Sequence, residues 1–443
     1  MLRTLPLLAH LGLAAGLALT TATPALAGGF KLSEYSVRDL GMADAGYAAL
    51  ADDPSTIWSN PAGLARLDGL QVQVGAHAII GQGDFTNAGS VDVLGRPLGG
   101  TEENDLFNDA VIPNFYLSRR LNDRVVLGLG VTAPFGLATE YNQDSVTRFQ
   151  SVKSALKVAE INPSLGVQVT DRLSLGFGVS AQYSEATLAN HIDFSAVCLG
   201  QLSAAQCTAT GFLPGRPEGY LRVTGDDWAF GWNVGALYDL TETTRIGVSY
   251  RSKVDHTLEG EADFGAPANA ALFQPAFTDT PGSAELNLPA ELAVSVAHQV
   301  NDQLSLNASV TYTFWDFERL VVEFDNPAQP AAGETLGYDG VARYAIGGEY
   351  RYNTRLTLRA GLAYDESPTE DEHRTTRVPD SDRTIVALGA SYQLTEALQL
   401  DAGYQHLMFD DAPINHVGST GDRVIGEYDN VADIVGLSLT WRR

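Results

Sequence analysis

Few side chains in this sequence could do covalent chemistry, and none is arranged for it. His256, His298 and His406 fall in stretches of alternating apolar and polar residues, with no nucleophile motif beside them. No Gly-x-Ser-x-Gly elbow occurs. Catalysis is therefore not expected, nor is a cofactor. Glu370-Asp371-Glu372-His373 and Asp380-Ser381-Asp382 carry the hard oxygens a divalent cation prefers. The plainer reading is a solvated acidic loop, and no metal is expected. The two cysteines, Cys198 and Cys207, share one irregular segment. Asp and Glu number 54 against 28 Lys and Arg, a net charge of −26. Nucleic acid, whose phosphates attract basic side chains, is not an expected partner.

The first residues set the compartment. Arg3, the apolar run from Leu5 to Leu19 and the small-x-small Ala25-Leu26-Ala27 read as a secretory signal over residues 1–27. The apolar run is too short to span a bilayer. In an oxidising compartment Cys198 and Cys207 are expected to form a disulfide; a free pair or metal ligands are the alternatives.

Further along, the chain alternates. Leu173, Leu175, Phe177, Val179, Ala181 and Tyr183 make one face, and Ser174, Gly176, Gly178, Ser180, Gln182 and Ser184 the other. The same period of two runs through Leu356–Tyr364 and Leu398–Met408. Each run lasts about ten residues, the length of a tilted membrane strand; soluble strands average about five or six. Tyr183, Tyr250, Tyr312, Tyr364 and Tyr404 come late on the apolar faces, where an interfacial girdle belongs. Short polar breaks occur at Asn122-Asp123-Arg124, Thr170-Asp171-Arg172, Thr241-Glu242-Thr243, Asn301-Asp302, Asn353-Thr354 and Thr395-Glu396. They alternate with seven longer segments: 81–110, 135–155, 191–227, 263–284, 326–338, 367–382 and 412–426. Seven hairpins give an all-β membrane protein, a 14-stranded antiparallel barrel over 68–443. It is expected as a monomer in the outer membrane of a Gram-negative bacterium, among outer-membrane lipid and lipopolysaccharide.

Residues 28–67 do not alternate. Their alanines suggest short helices, and Phe30, Leu40, Met42, Ile57 and Trp58 are apolar residues that a solvated tail would not need. A lumen of fourteen strands is too wide for side chains alone to fill, so this segment is expected to be a luminal plug. It ends at Asn60-Pro61-Ala62, the junction with the barrel.

The run Gly41–Leu64, with Ala51-Asp52-Asp53-Pro54 and Asn60-Pro61-Ala62, resembles the plug of FadL-type outer-membrane transporters of long-chain fatty acids and other hydrophobic compounds. The resemblance continues through Pro134–Glu140, Asn162-Pro163-Ser164, Trp228–Trp232, Tyr250-Arg251-Ser252, Leu288-Pro289 and Pro379-Asp380. It implies a 14-stranded barrel with an N-terminal hatch and passive uptake of fatty acids or, in a related branch, of aromatic hydrocarbons. It also implies that the third and fourth outer loops capture cargo. Those loops carry Phe194, Leu199, Leu202, Phe212 and Leu213, then Phe264, Leu272, Phe273 and Phe277. Packing on each other as a lid is the plainer role for so many apolar residues. Prolines cannot donate to a ladder, and Pro113, Pro134 and Pro163 fall in three consecutive strands. An opening is expected near Pro134-Phe135-Gly136, matching the kinked third strand that serves as the resembled family's proposed side exit. An ordinary bulge is the alternative. A fatty acid's carboxylate needs a basic partner, yet Glu185, Thr187, Asn190 and Asp339 stand where one is expected. Either arginines such as Arg222 or Arg343 take over, or the cargo is a neutral hydrocarbon.

Overall fold

The computed structural model describes residues 28–273 and 275–443; the expected signal segment, residues 1–27, lies outside them. Fourteen antiparallel strands form one closed wall. They are β1 (Leu70–Asn87), β2 (Ala110–Arg120), β3 (Val125–Thr132 and Gly136–Glu140), β4 (Lys153–Gln168), β5 (Leu173–Asp193), β6 (Glu218–Asp239) and β7 (Thr244–Arg251 and Val254–Gly265). After them come β8 (Thr280–Leu288 and Ala290–Gln299), β9 (Leu304–Phe314 and Phe317–Phe324), β10 (Ala332–Tyr338 and Val341–Arg351) and β11 (Leu356–Asp365). The last are β12 (Arg383–Thr395), β13 (Leu398–Phe409 and Ala412–Val417) and β14 (Arg423–Arg442). Each pairs with its sequence neighbour, and β1 pairs with β14 from Gln71↔Arg442 to Asn87↔Gly426, which closes the wall into a barrel. Among the described residues no helix is long and apolar enough to cross a membrane.

The alternation has the expected sense. Leu175, Phe177 and Val179 are exposed to the outside, whereas Ser174, Ser180, Gln182 and Ser184 are buried in the lumen. Tyr312, Tyr364 and Tyr404 lie on the outer face with Trp228, Phe230 and Trp232. The short turns close by one device. Asn122 Oδ1 accepts from the N–H groups of Arg124 and Val125, Asn301 from those of Gln303 and Leu304, and Asn353 from those of Arg355 and Leu356.

The other end departs from expectation. The ladders run on well past the girdle: β5 and β6 stay paired to Asp193↔Glu218. The segment 412–426, expected as a loop, is a hairpin paired from Ala412↔Tyr428 to Val417↔Arg423. Above the lipid the outside no longer has to be apolar, and in this hairpin the apolar face turns inward: Ala412, Ile414, Val424 and Tyr428 are buried, whereas Asn415, Glu427 and Asp429 are exposed. The neighbouring backbone still offers hydrogen bonds, and the strands continue.

Residues 28–67 lie inside the barrel. They contain two single-turn helices, Val37–Leu40 and Thr56–Ser59, and a 3-10 helix, Pro61–Arg66. Leu40, Met42, Ala45, Ala48, Ile57 and Leu64 are fully buried. Glycines on the lumen face make room for them. A Cβ on Gly361 would lie 2.0 Å from the Met42 carbonyl oxygen, one on Gly247 1.9 Å from that of Ala48, and one on Gly176 2.1 Å from the Pro61 carbonyl carbon. The smooth patches of the wall are the footprint of the segment inside it.

Candidate functional site

Among the polar contacts that hold the inner segment together and to the wall, several are made by Asn60. Its Nδ2 donates to the carbonyls of Ala48 (2.6 Å) and Ala236 on β6 (3.1 Å). Its Oδ1 accepts from Ala62 N–H at 3.0 Å and so caps the 3-10 helix that Pro61 begins. At the other end of the segment, Phe30 packs edge-on against Trp315, with ring centres 4.7 Å apart, and lies beside Phe135, Phe317 and Tyr338.

The wall is interrupted beside Phe30. β2 and β3 pair from Arg120↔Val126 only as far as Phe115↔Val131. Above that, Ala110–Asn114 pair with β1 but have no partner on β3. Five unpaired residues correspond to about 16 Å of strand edge. β3 instead turns to the inner segment: Leu32 N–H donates to the Pro134 carbonyl, and Gly136 N–H to that of Phe30, both at 2.9 Å. The interruption closes again where Phe107 bridges Thr139. Pro113 and Pro134 flank this gap. Pro163 is placed differently: it sits opposite Leu129 within the β3–β4 ladder, and Asn162 Nδ2 supplies the neighbouring Val179 carbonyl with a donor at 2.7 Å.

The outer loops form a lid. Phe194–Gln201 and Ala204–Ala209 are helical, joined by a Ser203–Gln206 capping box. Cys198 and Cys207 are disulfide-bonded. Phe194, Phe212 and Phe273 are buried in the core between the two loops, packed with Leu199, Leu202 and Leu213, while Leu272 points outward. Of the residues expected to capture cargo, Phe264 and Phe277 line an outer groove, together with Val197, Phe149 and Leu221.

That groove opens into an apolar cavity walled by Leu137, Leu156, Leu258, Leu286, Leu336 and Val378, with Phe30 in its lining. Leu188, Val223, Leu320, Val322 and Arg377 line both spaces and form the neck. Arg377 is the one cation among the residues that line the apolar cavity. Its terminal nitrogens donate to Ser154 Oγ and Asn190 Oδ1, each at 3.3 Å, and its Nε lies 3.1 Å from Glu334 Oε2.

The arginines considered from the sequence are elsewhere. Arg222 is exposed on the wall. Arg343 is paired with Asp44 at 2.7 Å, in a separate, charged space between the inner segment and the wall. Glu185 and Asp339 are exposed too, and only Asn190 reaches the neck. In sequence Arg377 sits in a loop that reads as acidic and solvated. The first half is so: Glu370, Asp371 and Glu372 are exposed. The second half folds into the lumen, where Arg374, Thr375, Thr376, Val378 and Asp380 are buried and Asn430 Nδ2 holds the Pro379 carbonyl at 2.7 Å. The signal available was Arg377-Val378-Pro379, a cation beside an apolar residue within an acidic loop.

A family model described as "Outer membrane protein transport protein (OMPP1/FadL/TodX)" matches residues 18–442. The chain is 31% identical over 425 residues to outer membrane protein P1 of Haemophilus influenzae, covering 91% of each chain. It is 30% identical over 404 residues to a long-chain fatty acid transport protein of Escherichia coli, covering 87% of this chain and 88% of that one. Among solved structures, a Pseudomonas aeruginosa FadL homologue superposes with a TM-score of 0.85 at 25% identity, covering 94% of this chain and 99% of that one. The P. putida toluene transporter TodX shares the fold, with a TM-score of 0.72 at 20% identity over 92% and 98% of the two chains.

Proposed function

The chain belongs to this family of outer-membrane channels for hydrophobic compounds, and we propose that its own cargo is a long-chain fatty acid or a similar amphiphile with one acidic end. The observation that carries the reading is an apolar cavity with a single guanidinium at its neck. Removing a long alkyl chain from water gains roughly 25 cal/mol per Å², and the leucine-lined cavity supplies that environment. Arg377 and Asn190 meet the carboxylate, which is costly to bury without a partner.

Cargo settles first in the outer groove beside Phe264 and Phe277, under the disulfide-tied lid. It passes the neck into the cavity above Phe30. Displacement of Phe30 and of the backbone bond that ties it to Gly136 then opens the way to the gap between Pro113 and Pro134. A molecule leaving there enters lipid directly and never crosses an aqueous lumen. The inner segment, anchored at Asn60-Pro61-Ala62, stays in place and blocks the axial path. Unpaired wall backbone is tolerated beside such a cavity but not against bare lipid, which supports an opening at this height.

A second reading is a neutral hydrocarbon, because Arg377 already has a carboxylate partner in Glu334. Competitive binding of oleate and an alkylbenzene to the purified protein separates the two. Oleate is expected to bind and to lose affinity in Arg377→Gln. Binding of the neutral compound alone refutes the first reading.

A further inference from the structure

Glu334 has no part in the route described so far, yet it lines the outer groove and faces Arg377 at the neck. It projects from the upper run of β10, and Arg377 comes from the inward-folded half of the β11–β12 loop. Their facing atoms are 3.1 Å apart, and each side chain is only 13% exposed. The pair is imperfect in a useful way. Glu334 Oε2 accepts no well-directed hydrogen bond, so the contact is largely one of charge. The other two bonds of the guanidinium, to Ser154 and Asn190, are 3.3 Å long, against a usual distance of about 2.9 Å. A guanidinium has five N–H donors in a planar fork that suits a carboxylate best in bidentate fashion. Arg377 therefore keeps unspent capacity directed at the neck. The second oxygen of Glu334 lies 3.9 Å from His416 Nε2 on β13, so Glu334 has somewhere else to turn.

We infer that Glu334 is a specificity-determining residue, an internal competitor that occupies Arg377 in place of a cargo carboxylate. This rests on the reading that Arg377 meets the acidic end of the cargo. An incoming acid must displace Glu334 toward His416 and tolerate a like charge nearby. The acid is thus held less tightly than an unopposed arginine would hold it. That suits a channel, in which the neck must recognise cargo and then let it go. A neutral molecule of the same shape has no claim on Arg377 and is indifferent to Glu334.

The test compares oleate with methyl oleate, which has the same chain but no charge, on the purified full-length protein and two variants. Glu334→Gln is expected to tighten oleate by about tenfold or more, equivalent to ~1.4 kcal/mol, and to leave methyl oleate as in the parent. Arg377→Gln is expected to weaken oleate alone. If Glu334→Gln leaves the oleate-to-methyl-oleate ratio at the parent value while Arg377→Gln lowers it, the competitor role is wrong and the reading of Arg377 stands. If neither variant changes the ratio, Arg377 does not meet the acid and both ideas fall. If Glu334→Gln tightens both ligands equally, the change is one of packing, and the competitor role is again refuted. Heat-modified gel mobility reports barrel folding. Should the Gln variant not fold, Glu334→Ala carries the same expectations and Glu334→Asp, which keeps the charge, is expected to retain the parent ratio.

Discussion

Replacing Asn60 by alanine should loosen the inner segment without harming the barrel. The wall is held by its own closed ladder, in which Asn60 takes no part, so folding and heat-modifiability should match the parent. The loss falls on the anchor. Asn60 supplies a donor to Ala48 and to Ala236, and an acceptor to the Ala62 N–H, at 2.6, 3.1 and 3.0 Å. The Ala48 oxygen and the Ala62 nitrogen are in a fully buried region. Leaving a buried polar group unpaired costs about 1–3 kcal/mol. Relief from water entering the loosened site brings the total to about 2–4 kcal/mol, which shifts the seated-to-displaced equilibrium roughly 30- to 1,000-fold. Planar-bilayer recordings should then show nonspecific ion conductance well above that of the parent, and specific uptake should fall. Asn60→Asp keeps the acceptor and loses the donors, so it should lie between. Conductance equal to the parent's in Asn60→Ala, with the protein inserted and heat-modifiable, refutes the anchoring argument.

Gly361→Val places side-chain atoms where the Met42 carbonyl now sits, 2.0 Å from the ideal Cβ, and should raise conductance by the same route; parent-like conductance counts against the glycine footprint. Opening the disulfide with Cys198→Ser and Cys207→Ser removes a cross-link of nine-residue separation. The cross-link contributes about 2.5 kcal/mol by chain entropy, so the lid should become protease-sensitive and ligand capture should weaken while the barrel persists. Low pH should loosen the outer loops at Asp92, whose burial opposes its charge but whose bonds from Arg96 N–H, Arg216, the Arg96 side chain and Leu94 N–H hold the carboxyl below its ordinary range. Its contribution is complete above the unfolded carboxylate value of about 3.9 and is lost as pH falls through the lower folded one. Proteolysis of the loop containing Asp92 should therefore rise only in strong acid, and Asp92→Asn should show the same sensitivity at neutral pH.

The membrane-embedded part of the fold is legible in the sequence because lipid and lumen demand opposite side chains at successive positions. Leu175 and Ser174 could not exchange places without exposing a hydroxyl to hydrocarbon. The turns are legible because Asn122, Asn301 and Asn353 each close one with their own side chain. Legibility fades above the girdle, where water on the outside removes that demand and the hairpin 412–428 turns its apolar residues Ile414, Val424 and Tyr428 inward instead. The lumen-facing glycines were visible in the pattern, but their purpose was not, since a glycine does not say what backbone will approach it. Phe194, Phe212 and Phe273 lie in the loops that the resemblance assigns to capture, where packing together as a lid was the alternative; the three are buried against one another. Arg377 is hidden in the sequence. Its neighbours in sequence are solvated carboxylates, and its neighbours in space are leucines brought there by other strands. Pro113, Pro134 and Pro163 looked alike in sequence. The side-chain amide of Asn162, next to Pro163, donates across to β5, whereas β3 leaves β2 beside Pro134.

The central claim is that cargo leaves sideways through the gap between β2 and β3. The double variant Pro134→Val, Gly136→Val tests it most directly, because it restores a backbone donor and favours a regular strand at a point distant from the capture groove. Oleate binding to the purified variant and oleate uptake by cells displaying it are measured side by side. The account predicts near-parent binding with uptake sharply reduced. A variant that folds, binds and takes up oleate like the parent contradicts it, and cargo would then have to pass the inner segment anchored at Asn60.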